Sequence, residues 1–186
     1  MMERHGLSVG IALGVVATLL VGVAVWLVVV YTGAYNVAAT DRHADVARWT
    51  LDTTMHRSVS RRADDLVEPD AVSAELVAAG AETYASTCAH CHGAPGAERA
   101  HWAGTMRPMP PHLTEAAAEW EAREVFWIVK HGIKMSGMPA FGPAHDDEAL
   151  WGLAAFVKRL PGMTPDDYRA ATGGGGHGHD ATGASD

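Results

Sequence analysis

Lysine is scarce in this chain, with three among 186 residues, and acids outnumber bases 22 to 14, for a formal charge of −8. That balance excludes a general nucleic-acid binder, which neutralises phosphates with clustered Lys and Arg. Cysteine is scarcer still. Two residues, Cys88 and Cys91, cannot build a multi-bridge secreted scaffold, and their close spacing points to a site. No alternating apolar and polar stretch of useful length is present, so no sheet is expected. What is plentiful is glycine, 20 residues with several in the C-terminal tail, together with 9 prolines. The folded core is therefore smaller than the length suggests.

One long apolar run organises the N-terminus. Leu7 to Tyr31 carries no charge over 25 residues. As a helix it would span roughly 37 Å, enough for a hydrocarbon core of about 30 Å with some tilt. A cleaved secretory signal usually has an apolar region of only about 7–15 residues, and Val37-Ala38-Ala39 is a weak cleavage site, so an uncleaved anchor is expected. Trp26 and Tyr31 sit toward its outer end, where amphipathic rings favour the membrane–water boundary. Arg4 on one flank against Arg42 and Arg48 on the other, offset by Asp41 and Asp45, gives little orientation from charge.

Beyond the run, residues 41–65 are Arg-rich. Val46, Trp49, Thr53 and Val59 can share one side of a helix, with Arg42, Arg48, Arg57, Arg61 and Arg62 elsewhere. Such a stretch beside a membrane span lies on lipid, docks to a partner, or is a solvated linker. Residues 66–70, with Pro69, read as a hinge. Ala71 to Cys88 then reads as a helix with apolar positions Val72, Leu76, Ala79 and Thr83 and the Gly80/Tyr84 pair. Thr114 is placed to cap a second helix, roughly Glu115 to Lys130, with Trp120, Val125, Phe126, Ile128 and Val129 inward and Gly132 as its stop. A third runs from Asp146 to Leu160, acidic at its start and basic at its end, and Pro161-Gly162 ends it. Thr164-Pro165-Asp166-Asp167 predicts a further short turn of helix. The folded unit, residues 70–169, is expected to be all-α, and the Gly/His-rich tail, 170–186, disordered.

The chemistry sits at Cys88-Ala89-His90-Cys91-His92. C-x-x-C-H is a c-type haem attachment signal. Two thiols three positions apart at a helix end can each add to a vinyl group of one porphyrin, and the following His92 brings its imidazole under the iron. The competing readings are weaker. A thioredoxin-type pair needs a βαβ setting, a zinc site needs further ligands, and a Cys88–Cys91 disulfide closes too short a loop to stabilise much. A second axial ligand calls for a soft sulfur. Met135 and Met138 lie 43 and 46 residues after His92 in GIKMSGMPAF, and Met138 precedes Pro139, which stiffens the loop. Met138 is the expected ligand and Met135 the reserve. Trp120, Phe126, Trp127 and Phe141 read as ordinary core or pocket wall. His90 reads as an exposed filler, and His101 and His131 carry no distinguishing context.

These residues resemble those of a class I c-type cytochrome, in the membrane-anchored bacterial form with a single haem. Gly80 and Tyr84 resemble the glycine and aromatic of that family's N-terminal helix. Leu153 and Phe156 resemble the residues of the C-terminal helix that cross that glycine. Cys88, Cys91 and His92 fall on the attachment motif, and Met138 on the distal methionine of the Met-Pro-Ala-Phe loop. Pro110 or Pro111 resembles the proline whose carbonyl accepts the proximal imidazole N–H; the sequence leaves both open. The resemblance covers about residues 72–161. It implies one covalent haem c, held through Cys88 and Cys91 and ligated by His92 and Met138. It implies attachment on the periplasmic side of a bacterial inner membrane, with residues 1–6 in the cytoplasm, a single span at 7–31, and 32–69 as a juxtamembrane segment.

The function so implied is electron transfer between membrane-bound donor and acceptor complexes of a respiratory chain. The protein is then not itself an enzyme and takes no small-molecule substrate. The alternatives are a haem subunit fixed within an oxidoreductase complex, or an open-site sensor or peroxidase if Met138 is not a ligand. From Asp70 onward there are 15 acids against 8 bases, yet Arg99, Arg107, Lys130 and Lys134 flank the motif and the methionine loop. They suggest a local basic rim for an acidic partner, against a null of scattered solvated charges. His177 and His179, with His145 or His112, suggest a weaker site for copper or zinc.

Overall fold

The computed structural model describes residues 2–173. The chain divides into two compact units between Asp41 and Arg42. The first is built on α1, Met2–Thr32. Its segment Leu7–Thr32 has a mean hydropathy of 2.8, and among the described residues it is the one helix long and apolar enough to cross a membrane. Leu, Val and Ile side chains are exposed all round it, which fits a helix whose solvent is lipid rather than a protein core. Thr18 and Thr32 return their hydroxyl protons to Gly14 and Val28 carbonyls one turn back, at 2.9 and 2.6 Å, so neither is left unmet in the apolar stretch.

The second unit contains α2 (Asp45–Ala63), α3 (Ala74–Thr83), α4 (Ala89–His92), α5 (Leu113–Ala116), α6 (Ala122–His131), α7 (Asp147–Val157) and α8 (Pro165–Ala171). No strand occurs among the described residues, only an isolated bridge between Ala94 and Ala97. Side-chain caps start several of these helices. Ser73 Oγ accepts from Leu76 N–H at 3.2 Å, and Asp146 Oδ1 from Ala149 N–H at 2.8 Å. Thr164 and Asp167 form a capping box with Pro165 in the first turn. α8 carries the folded chain to Ala171, two residues beyond the boundary expected at 169, and Thr172 beyond it is still buried. The rest of the tail, with His177 and His179, lies outside the described residues.

The crossing of α3 and α7 is the centre of the domain. A Cβ on Gly80 would lie 2.6 Å from the Gly152 carbonyl carbon and oxygen and 2.7 Å from Leu153 N. A Cβ on Gly152 would in turn strike the Leu76 carbonyl oxygen. Both helices therefore present bare backbone at the crossing. Around it Val77, Ala81, Tyr84, Leu150, Leu153, Ala154, Phe156 and Val157 form the core, joined from α6 by Val125, Phe126 and Val129. Phe126 stacks on Trp151 at 4.1 Å between ring centroids and is part of this core.

Three sequence expectations change here. The inward side of α3 is Val77, Gly80, Ala81 and Tyr84, while Ala79 is exposed and Leu76, Thr83 and Val72 are half-buried. The helix expected over 115–130 is two: α5 with a short 3₁₀ turn to Glu119, an extended Trp120, then α6. Glu121 and Glu124 supply the reason, since their capping box starts a new helix at Ala122 and leaves Thr114 inside the first turn of α5. The C-terminal half of α2 is not a solvated linker. Val59 and Ala63 are fully buried, Ser60 Oγ donates to Glu124 at 2.5 Å, His56 stacks on Trp120 at 4.4 Å, and Arg123 pairs with Asp64 at 3.2 Å. Of the expected apolar side, Val59 is thus buried, while Val46 and Trp49 are 70% and 67% exposed.

Tyr84 links this core to the site. Its buried hydroxyl donates to the Gly93 carbonyl at 2.6 Å, and burial keeps the phenol protonated by raising its pKa far above the ordinary value. Tyr84→Phe leaves that carbonyl without its donor. We expect a loss of about 1–2 kcal/mol, hence a Tm lower by roughly 4–16 °C for a domain of this size. Thermal unfolding of the haem-loaded protein measures it, and an unchanged Tm would show that water replaces the bond.

Candidate haem site

α3 does not run straight into the Cys-x-x-Cys-His segment. A single π turn, Tyr84–Cys88, intervenes, in which Ala89 N–H reaches back to the Tyr84 carbonyl. Such turns hold one extra residue and recur at functional sites. α4 then carries Cys91 and His92 and ends at Gly93, whose φ of 70° is the left-handed region that glycine enters without strain. A Cβ there would lie 2.8 Å from His112 Nδ1, so the residue after His92 also leaves room for the His112 ring.

Both cysteines are free and half-buried. Burial, with Cys91 adding, pushes the Cys88 thiol up to about 12. A thiol so protonated is a poor redox nucleophile or zinc ligand, and no group of three or more His, Cys, Asp or Glu able to hold a metal ion exists among the described residues. The copper or zinc site considered from the sequence turns on His177 and His179, which lie outside the described residues.

His92 Nδ1 lies 2.8 Å from the Pro111 carbonyl oxygen. A carbonyl only accepts, so Nδ1 carries the proton and Nε2 keeps its lone pair. Burial lowers the His92 pKa, opposed by the bond to Pro111, and the neighbouring Arg99 and His112 lower it further. The imidazole is thus neutral, in the tautomer that ligates through Nε2. Of the two prolines left open by the sequence, Pro111 faces His92, and the Pro110 carbonyl accepts instead from the Arg99 guanidinium.

The methionine loop joins α6 to α7. Met138 is half-buried and packs on the same core as Cys88, Ala89 and Phe141. Its backbone is fixed at both ends: the carbonyl accepts from Ile133 N–H at 3.2 Å, and its N–H donates to Ser136 Oγ at 3.1 Å. Met135 differs in each respect, with φ 59° and a side chain 85% exposed. Met106, which nothing in the sequence singled out, lays its terminal methyl where Gly137 has no side chain.

The expected basic rim is mostly engaged elsewhere. Lys130 pairs with Asp147 at 2.6 Å and lies over Phe126, Arg99 is held by Pro110 and His112, and Arg107 bonds the Met106 carbonyl at 2.8 Å. Lys134 alone of the four is exposed without a partner among the described residues. Asp147 lies on α7 while Lys130 lies on α6, and Pro110 and His112 stand 11 and 13 residues from Arg99, so no local pattern records these partners.

The donor set suits a covalently attached haem: two thiols three positions apart, a neutral imidazole with a free Nε2, and a thioether on a separate pinned loop, with Cys88 and Met138 packed on the same apolar core. Residues 75–157 match a family model described as cytochrome c oxidase, cbb3-type, subunit III, which covers less than half of the chain. No curated protein and no solved structure matches.

Proposed function

We propose that this chain, whose residues 75–157 match a cytochrome c family model and whose N-terminal helix is fit to anchor it, is a membrane-tethered one-electron carrier with covalent haem c and a closed His/Met site. Haem supplies the redox chemistry when bound, cycling between ferric and ferrous iron. The chain's own residues do the rest. Cys88 and Cys91 would tether the cofactor, His92 would offer Nε2, and Met138 would supply a thioether as second ligand. The observation that carries this reading is His92 itself, neutral and with its Nδ1 proton committed to Pro111. A thioether ligand raises the reduction potential, which suits delivery of electrons to an oxidase-type acceptor. The haem domain is assigned to the periplasmic side of a bacterial inner membrane, with respiratory complexes as partners.

A second reading is favoured by the family match, which describes a subunit. The cytochrome is then a fixed part of an oxidoreductase complex, and the exposed Val46 and Trp49 at the start of α2 are where another subunit would pack.

Optical spectra of the haem-loaded protein test the closed site. A low-spin ferric spectrum with the methionine charge-transfer band, and a ferrous spectrum unmoved by carbon monoxide, are expected. Ready binding of the gas would replace the carrier with a sensor or peroxide-handling protein. Copurification of the full chain with other membrane subunits, against isolation as a single species, separates the complex from the free carrier.

A further inference from the structure

Residues 107–111 read Arg-Pro-Met-Pro-Pro, so Pro108, Pro110 and Pro111 have no backbone N–H to pin the loop that faces His92. At those three positions the backbone can be held only through its carbonyls, by donors from elsewhere. Two side chains provide them. His92 Nδ1 donates to Pro111, and the Arg99 guanidinium donates to Pro110. The same guanidinium donates from Nε to His112 Nε2 at 3.3 Å, so one planar fork spans residues 110 and 112 and brackets Pro111. Glu98 Oε2 lies 3.6 Å from that His112 nitrogen. An Nε2 that accepts from Arg99 carries no proton to give the carboxylate, so the Arg99 bond is the one that orders the ring. Both ends of the bracket rest on the motif itself. Next to Arg99, Ala100 N–H bonds the His90 carbonyl at 2.9 Å, and His112 fills the space beside Gly93.

We propose that Arg99, through Pro110 and His112, is the positioning residue that aims the Pro111 carbonyl at His92 and thereby sets how strongly that imidazole donates to iron. The inference rests on His92 being the haem ligand. A firm Nδ1–H···O=C bond makes the imidazole a stronger donor, which favours ferric iron and lowers the potential. A cation near the haem acts the other way, because it disfavours the ferric state. The two roles of Arg99 therefore predict opposite signs.

Arg99→Lys separates them, since lysine keeps the charge and loses the fork. The full-length haem-loaded protein is used, with two readouts: solvent exchange of the His92 Nδ1 proton by ¹⁵N NMR in the ferrous state, and the reduction potential. We expect exchange about tenfold faster, as for loss of an outer partner of a ligating histidine, and a higher potential. A tenfold change in the ferric-to-ferrous ratio would read as about 59 mV for one electron. His112→Leu, which removes one anchor of the fork, should move both in the same direction by less. Exchange at the wild-type rate in Arg99→Lys overturns the proposal. So does a fall in potential with unchanged exchange in Arg99→Met, which would leave Arg99 as a charge only. If Arg99→Lys fails to take up haem, wild-type exchange in His112→Leu overturns it equally. A wild-type protein without low-spin, histidine-ligated iron would instead sink the reading beneath it.

Discussion

Met138→Ala is expected to open the iron to carbon monoxide and to lower the reduction potential on the order of 0.1–0.3 V, within the roughly 0.8 V that axial ligands command. The argument is geometric. Met138 packs half-buried on the core that also receives Cys88, and hydrogen bonds from Ile133 and to Ser136 fix its backbone. Alanine keeps those backbone bonds and removes only the sulfur. The folded domain should therefore survive with one coordination position exposed. Met135→Ala should leave the gas-inert spectrum and the potential unchanged, because its side chain is 85% exposed. If the two variants exchange behaviour, Met135 is the ligand and the loop rearranges around the cofactor. If neither opens the site, the sulfur comes from elsewhere, and Met106, laid against Gly137, is the next to replace.

Gly80→Ala should be among the most destabilising small substitutions in the domain. The added methyl would sit 2.6 Å from the Gly152 carbonyl, against backbone that cannot rotate away as a side chain could. Separating α3 from α7 loosens the largest part of the core, and overpacking of this kind costs about 3 kcal/mol, or a Tm fall of roughly 12–24 °C. Gly152→Ala meets the Leu76 carbonyl from the other side and should cost as much. The double variant should cost less than the sum, since one widened gap holds both methyls. Denaturant titration of the three proteins checks this, and additive losses would mean that the two methyls act at independent contacts.

What was legible in the sequence is what is local. The attachment segment is five contiguous residues, and its chemistry needs no partner to be read. Asp146 and Thr164 announce their helices because a cap and its target lie within one turn. Gly80 was legible as a crossing residue, but Gly152, which receives it, was not, because a glycine in a helix carries no sign of what lies opposite. The break at Trp120 was missed because 115–130 is good helical sequence throughout; only the reciprocal Glu121/Glu124 box shows where the second helix begins. On α2 the expected side is half right for a related reason. Val59 packs as its pattern suggests, yet Val46 and Trp49 stay exposed and the other contacts fall on Ala63 and the His56 ring, small or polar residues that carry no apolar signal. At the site, choosing Pro111 over Pro110 depends on Arg99 occupying the other carbonyl, and no rule of spacing records that.

The π turn before the attachment segment sets a phase. In an uninterrupted α-helix, position 88 would follow Tyr84 by four residues and lie beneath it, on the stripe that α7 covers. The extra residue gives that place to Ala89 and swings Cys88 by about 100° around the axis. Closing that turn at full length would mend the helix and misdirect everything after it, whereas deleting one residue within 85–87 would mend it with Ala89 still bonded to Tyr84 and the thiols and imidazole facing as they do now. The turn itself, more than the count of residues, fixes where the cysteines point.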